Sequence, residues 1–178
     1  MVQRKAQQSA TGSKDEQAPA DTRWPPERIL IVEARFYENI ADELVAGVIA
    51  ELEAQGCNYD RVTVPGALEI PQVLAAAIAA GLVPADAPAA RFAGVVALGC
   101  VIRGETSHYD VVVGHANHWL MHAAMENNVP VGNGILTVDT EAQALARARG
   151  GRDGKGGDAA RACLALIDIA RKFQGLGA

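Results

Sequence analysis

The chain has 178 residues, with 16 Lys and Arg against 21 Asp and Glu, so its formal net charge is −5. Apolar residues make up 49% and charged residues 21%, proportions that suit one globular domain with enough chain for a real core. The mild acidity argues against a nucleic-acid partner, which calls for a basic patch, and no apolar run approaches the roughly 20 residues of a membrane span. The first residues lack the apolar centre of a secretory signal. Three widely spaced cysteines, Cys57, Cys100 and Cys163, fit reduced thiols in a cytoplasm better than a disulfide framework or a zinc site.

Residues 1–26 are polar, rich in Gln, Ser, Ala and Asp, and end in Pro25 and Pro26. Such a segment buries too little apolar surface to offset its ordering entropy, so a disordered arm is expected there, with the folded domain at 27–178. The run Arg28 to Glu33 is β-branched and predicts a buried strand. Ile40, Leu44, Val48 and Leu52 fall four apart and predict a helix over 39–55, stopped by Gly56. Tyr59 to Val64 alternates as a second strand, closed by Pro65 and Gly66. An Ala-rich helix follows over 68–80, then a Pro/Ala loop over 83–91. Phe92 to Leu98 is apolar almost throughout and predicts a third strand. A helix over 109–127, a fourth strand over 129–138, and helices over 141–149 and 158–173 complete the chain. The last two are separated by the Gly-rich stretch 150–157. Strands that alternate with helices and lack polar alternation predict a parallel sheet covered on both faces. Ligands of such sheets bind beyond the carboxyl ends of the strands.

The polar residues gather at those ends. Gly99 to Asp110 leaves a strand and enters a helix, with Thr106 or Ser107 as its N-cap and Ser107 with Asp110 as a partial capping box. A helix N-terminus can hold a phosphate or oxyanion, and His108 sits in its first turn with an imidazole that can move protons either way. The same residues also describe a capped helix with a surface histidine. Glu69 at a strand-to-helix junction is either a ligand carboxylate or a first-turn acid that complements the helix dipole. Phe36, just past the first strand, either stacks a flat heterocycle or belongs to the core. Arg147 and Lys155 flank flexible backbone and suit a phosphate. Their segment is not a P-loop: the first Gly of that motif would fall on Arg149, and Gly156 follows Lys155 where Ser or Thr is needed. Gly132 to Thr137 fails as a dinucleotide fingerprint because its third glycine is missing. His115, His118 and His122 share one helical face, but His115 and His122 lie about 10 Å apart along the axis, which points to an interface or polar face instead of a metal.

Taken together, five stretches resemble the lumazine synthase family of riboflavin biosynthesis in order and spacing. They are Val32 to Phe36, Val64 to Pro71, Ala97 to His108, Gly134 to Thr137 with Glu141 to Arg147, and Gly154 to Gly156. The resemblance covers about Arg28 to Phe173. It implies a three-layer α/β sandwich of flavodoxin-like topology, with a four-stranded parallel sheet and helices on both faces. It also implies a homopentameric ring as the minimal unit, with sites between neighbouring subunits, and leaves a larger shell open. The implied reaction condenses 5-amino-6-(ribitylamino)uracil with 3,4-dihydroxy-2-butanone 4-phosphate, without cofactor or metal. Carried over by position, Phe36 stacks on the pyrimidine, and Ala67, Leu68 and Glu69 line the pyrimidine and ribityl site. Cys100, Val101 and Ile102 meet the ring through backbone groups, and Glu105 and Thr106 hold the phosphate end. Arg147 pairs with that phosphate from the neighbouring subunit, Lys155 adds positive field, and His108 shuttles protons. Many members carry an aromatic in the fourth strand where this chain has Asn133, so one wall of the expected ring pocket is polar. Such a wall also suits a non-catalytic binder of flavin or lumazine. A flavodoxin-like electron carrier fits poorly, because its phosphate loop follows the first strand, where this chain has Arg35, Phe36 and Tyr37.

Overall fold

The computed structural model describes residues 27–176, and the expected N-terminal arm lies outside them. The four expected strands are present as β1 (Arg28–Ala34), β2 (Asn58–Val64), β3 (Gly94–Ile102) and β4 (Val131–Val138). They form one sheet in the order β2-β1-β3-β4, with every adjacent pair parallel. The helices between them are α1 (Glu38–Ala54), α2 (Ile70–Ala79), α3 (His108–Glu126), α4 (Glu141–Ala148) and α5 (Lys155–Leu176). Short 3-10 turns occupy Ala67–Glu69 and Gly151–Asp153.

Successive strand residues point to opposite faces, and β1 and β3 are buried on both along most of their length, whereas the edge strand β2 stays largely exposed. Ile29, Ile31, Val96, Leu98 and Leu136 pack with Leu44 and Val48 of α1, Ala144 of α4, and Ala159 and Cys163 of α5. Leu30, Val32, Val95, Ala97 and Val131 pack with Ile70 and Leu74 of α2 and with Ala116 and Leu120 of α3. The result is the α/β layering expected from strands without polar alternation. Among the described residues, no helix is long and apolar enough to cross a membrane.

Three local expectations are corrected. β3 does not stop at Leu98 but runs to Ile102, because Gly99 to Ile102 pair with Ile135 to Val138 of β4. Second, α5 begins at Lys155 and not at Asp158, so the Gly-rich stretch is only half a connector. A Cβ on Gly156 would collide with the Leu44 carbonyl, and one on Gly132 with the Ala159 carbonyl. These glycines are there for close approach of α5 to α1 and to the sheet, not for chain flexibility. Third, Ser107 occupies the N-cap of α3 but makes no side-chain cap. Thr106 Oγ1 accepts the His108 N–H at 3.4 Å instead, and Asp110 faces Arg103, also at 3.4 Å. The α4 cap is conventional: Thr140 Oγ1 accepts the Gln143 N–H at 3.2 Å.

Two carboxylates are buried in this scaffold. Glu33 on β1 accepts from Arg61 Nε at 2.7 Å and from Arg35 at 2.9 Å. Glu51 on α1 accepts from Arg152 at 2.9 Å and from Arg161 at 3.0 Å. Each is compensated, as a charge removed from water must be.

Candidate active site

At the carboxyl end of the sheet lies a cleft of about 250 Å³. The ends of β1, β2 and β3, with the entry to α3, supply its walls, and no residue of β4 is among them. The turn after β1 contributes Phe36 and Tyr37, and the turn after β2 contributes Gly66, Ala67 and Leu68. The end of β3 contributes Cys100, Val101 and Ile102, and the entry to α3 contributes Gly104, Thr106, His108, Tyr109 and Val112. Parallel strands end together, so residues tens of positions apart in sequence meet at one edge.

Phe36 is 72% exposed, which removes it from the core and leaves its face open. Its ring meets Tyr37 edge-on, with centroids 4.9 Å apart and planes at 75°. His108 is the first residue of α3 and is exposed, at a helix end where unpaired N–H groups favour negative charge. The Cys100 thiol is pushed up to about 11 by burial, so it stays protonated at neutral pH and is no nucleophile there. The Tyr37 phenol is also pushed up, first by burial and then by Cys100 and Glu141 nearby.

The cleft lining therefore holds Phe36, Ala67, Leu68, Cys100, Val101, Ile102, Thr106 and His108 of the expected residues. Glu69, Glu105, Asn133, Arg147 and Lys155 are not in it. Glu69 folds back, its Oε2 accepting the Gly66 N–H at 3.0 Å, and so braces the turn that carries Ala67 and Leu68. Glu105 is exposed beside Thr106. Asn133 lies on the edge strand, where its amide donates to Asn117 Oδ1 at 2.7 Å and accepts the Ile135 N–H at 3.0 Å. Exposed Arg147 donates to the Gln143 carbonyl at 3.3 Å, and Lys155 pairs with Asp158 at 2.7 Å. Tyr37, Gly66, Gly104, Tyr109 and Val112 complete the lining and were not named as site residues from the sequence. Tyr37 and Tyr109 adjoin selected residues, and Val112 lies one helical turn after His108, so helical spacing could have found it.

On the outer face of α3 the rings of His118 and His122 stack at 5.9 Å, and His122 faces Glu126 at 3.5 Å. Among the described residues, no group of three or more His, Cys, Asp and Glu side chains is placed to hold a metal ion.

Comparison with known proteins bears on this geometry. The family model described as 6,7-dimethyl-8-ribityllumazine synthase matches residues 26–171. Among curated relatives, the 6,7-dimethyl-8-ribityllumazine synthase of Nitrobacter hamburgensis is 53% identical over 146 residues, covering 82% of this chain and 87% of its own. The protein of that name from Azorhizobium caulinodans is 54% identical over 145 residues, with the same coverages of 82% and 87%. The one from Agrobacterium fabrum is 50% identical over 147 residues, covering 83% of this chain and 97% of its own. With a family model spanning nearly all the described residues and half-identical relatives along the same length, the chain belongs to the 6,7-dimethyl-8-ribityllumazine synthase family of enzymes.

Proposed function

We propose that the chain condenses 5-amino-6-(ribitylamino)uracil with 3,4-dihydroxy-2-butanone 4-phosphate, releasing 6,7-dimethyl-8-ribityllumazine, phosphate and two molecules of water. The observation that carries the reading is the convergence of an exposed aromatic ring, the open end of β3 and a histidine at a helix N-terminus around one cleft. The amine is already a nucleophile and the ketone an electrophile, so no covalent enzyme group is required. Phe36 takes the face of the pyrimidine, and backbone groups of Cys100 to Ile102 meet its edge. Thr106 and the first N–H groups of α3 face the phosphate end. His108 takes and returns protons as the imine forms and phosphate departs, a contribution worth about 10²–10⁴-fold. Holding both substrates in register supplies several kcal/mol more.

The cleft lining contains no Lys or Arg among the described residues, yet a departing phosphate needs cations. On this reading Arg147 and Lys155 of a neighbouring copy supply them, and the working unit is a ring of five chains. The outer face of α3 supports self-association: Val111 is 48%, Trp119 51% and Met125 74% exposed. The free thiols of Cys57, Cys100 and Cys163 support a site of action in a reducing cytoplasm. The test is to mix purified protein with both substrates and follow lumazine absorbance and fluorescence. A rate no greater than the uncatalysed background refutes the proposal, and tight riboflavin binding without turnover would assign the chain to non-catalytic binding instead.

A further inference from the structure

Phe36 has an unusual task for so exposed a side chain. A stacking wall must be held still, or ordering it on binding costs affinity. The core does not hold Phe36, and Tyr37, the N-cap of α1, makes no side-chain cap. The turn from β1 to α1 is bracketed by one guanidinium instead. Arg35 reaches back to the fully buried Glu33 on β1 at 2.9 Å and forward to Asp42 on α1 at 2.7 Å. Glu33 is itself anchored by Arg61 of β2 through two bonds, 2.7 and 3.1 Å long. The Arg35 backbone N–H donates to the Val64 carbonyl at 2.9 Å, tying this turn to the one that carries Gly66 and Ala67.

We propose that Arg35 is a positioning residue: strung between Glu33 and Asp42, it fixes the Phe36 ring against which the pyrimidine stacks. The inference rests on the reading of Phe36 given above. The fold does not depend on the strut alone, because β1 and α1 are each docked by buried residues, Ile29 to Val32 on one and Ile40, Leu44 and Val48 on the other. The strut does need a fork. Two carboxylates on opposite sides are engaged by two different terminal nitrogens, which a lysine ammonium cannot reproduce.

The test is a cycle of Arg35→Met, Arg35→Lys, Asp42→Asn and Phe36→Ala. It is read as the KM of each substrate, kcat, and the Kd of riboflavin as a flat-ring probe. Arg35→Met is expected to raise the pyrimidine KM and the riboflavin Kd about tenfold, a coupling of ordinary size for side chains in contact. The KM of the phosphate substrate stays within about twofold, and kcat falls by less than the pyrimidine KM rises. Arg35→Lys and Asp42→Asn give intermediate increases of about threefold. In the Phe36→Ala background, Arg35→Met adds less than about twofold, because the ring it positions is gone. Equal factors in both backgrounds, or parallel rises in both KM values, overturn the inference. Should Arg35→Met fail to fold, Asp42→Asn decides alone, since Asp42 is exposed; no rise in pyrimidine KM there is equally fatal. If Phe36→Ala leaves pyrimidine and riboflavin binding untouched, the stacking role itself fails. If Phe36→Ala acts and the Arg35 and Asp42 variants do not, only the strut fails.

Discussion

Replacing Glu51 by Gln tests whether the connector carrying Arg149 to Gly154 is held by a buried charge. The carboxylate is 1% exposed. Its Oε2 accepts from Arg152 Nε at 2.9 Å and Arg161 at 3.0 Å, and its Oε1 accepts from Gln55 Nε2 at 3.0 Å. Gln keeps the shape but loses the charge and presents an NH₂ group to a site furnished only with donors. Two charge-assisted bonds at about 1.5–3 kcal/mol each set the upper limit of the loss. Both guanidinium groups are about half exposed and can turn to water, so the net cost is expected near 2 kcal/mol, below that of a fully buried broken pair. The pH dependence has a definite sign. The Arg152 guanidinium, aided by Gln55 and Arg161 and opposed by burial, holds the Glu51 carboxyl below its ordinary value of 4.5. A depressed carboxyl contributes stability that is complete above the unfolded value and is lost as pH falls through the folded one. Urea unfolding followed by circular dichroism, at one fixed protein concentration, should therefore show a constant gap between the two proteins from about pH 8 to 5. Below about 4.5 the gap should close. A gap under about 0.5 kcal/mol at neutral pH, or one that widens in acid, refutes the reasoning.

Gly132→Ala drives a Cβ into the Ala159 carbonyl and should cost about 3 kcal/mol or more, whereas Gly114→Ala, with open space beside it in α3, should gain up to ~1 kcal/mol; thermal unfolding separates them. The Cys163 thiol is pushed up to about 12 and Cys100 to about 11, in both cases by burial above all. Iodoacetamide at pH 7.5 should therefore label neither in the folded protein over a period that labels both in urea, and riboflavin should protect Cys100 at pH 10, a result that mass spectrometry reads directly. His108→Ala should lower kcat about 10²-fold while riboflavin affinity holds, and Arg147→Ala should act mainly on the KM of the phosphate substrate; steady-state kinetics with each substrate varied distinguishes the two.

Strands such as Arg28–Ala34 were legible because a sheet covered on both faces leaves no polar alternation, and the covering helices announce themselves by four-residue spacing. Residues that obey tertiary constraints were not. Gly99 reads as a strand end, yet it sits inside β3, where a Cβ would press on Ile70 at 3.3 Å and Ala34 at 3.4 Å. Gly156 and Gly157 read as breakers because nothing local reveals the Leu44 and Arg152 carbonyls packed against them. The buried ion pairs were illegible for the same reason: Glu51 finds Arg152 and Arg161 at separations of 101 and 110 residues. In the cleft, strand and helix ends left Phe36 and His108 each with two readings, and the family resemblance was what named them. Their convergence depends on β1 and β3 being neighbours, a matter of strand order. Arg35 could be seen beside Phe36, but Asp42 as its second anchor required the turn to be built.

The division of charge in this fold says what kind of site a single chain can make. The cleft offers an aromatic face, backbone groups of a strand end, two phenols, a protonated thiol and one imidazole. That inventory suits a flat, uncharged heterocycle. Two arginines adjoin lining residues, and both are already opposed: Arg35 pairs with Glu33 and Asp42, and Arg103 lies over the Tyr109 ring at 4.0 Å and faces Asp139 and Asp110. Arg147 and Lys155 sit outside the cleft lining, on α4 and α5, where Arg147 donates to a backbone carbonyl and Lys155 pairs with Asp158. On the proposed function, one chain then carries the ring-binding residues and the α3 N-terminus in its cleft and the two phosphate-binding cations outside it. A closed ring joins such halves without any change in fold, because one heterologous contact repeated around an axis sets the second surface of each copy against the first surface of the next. On that proposal, the residues that decide turnover include those that decide the ring.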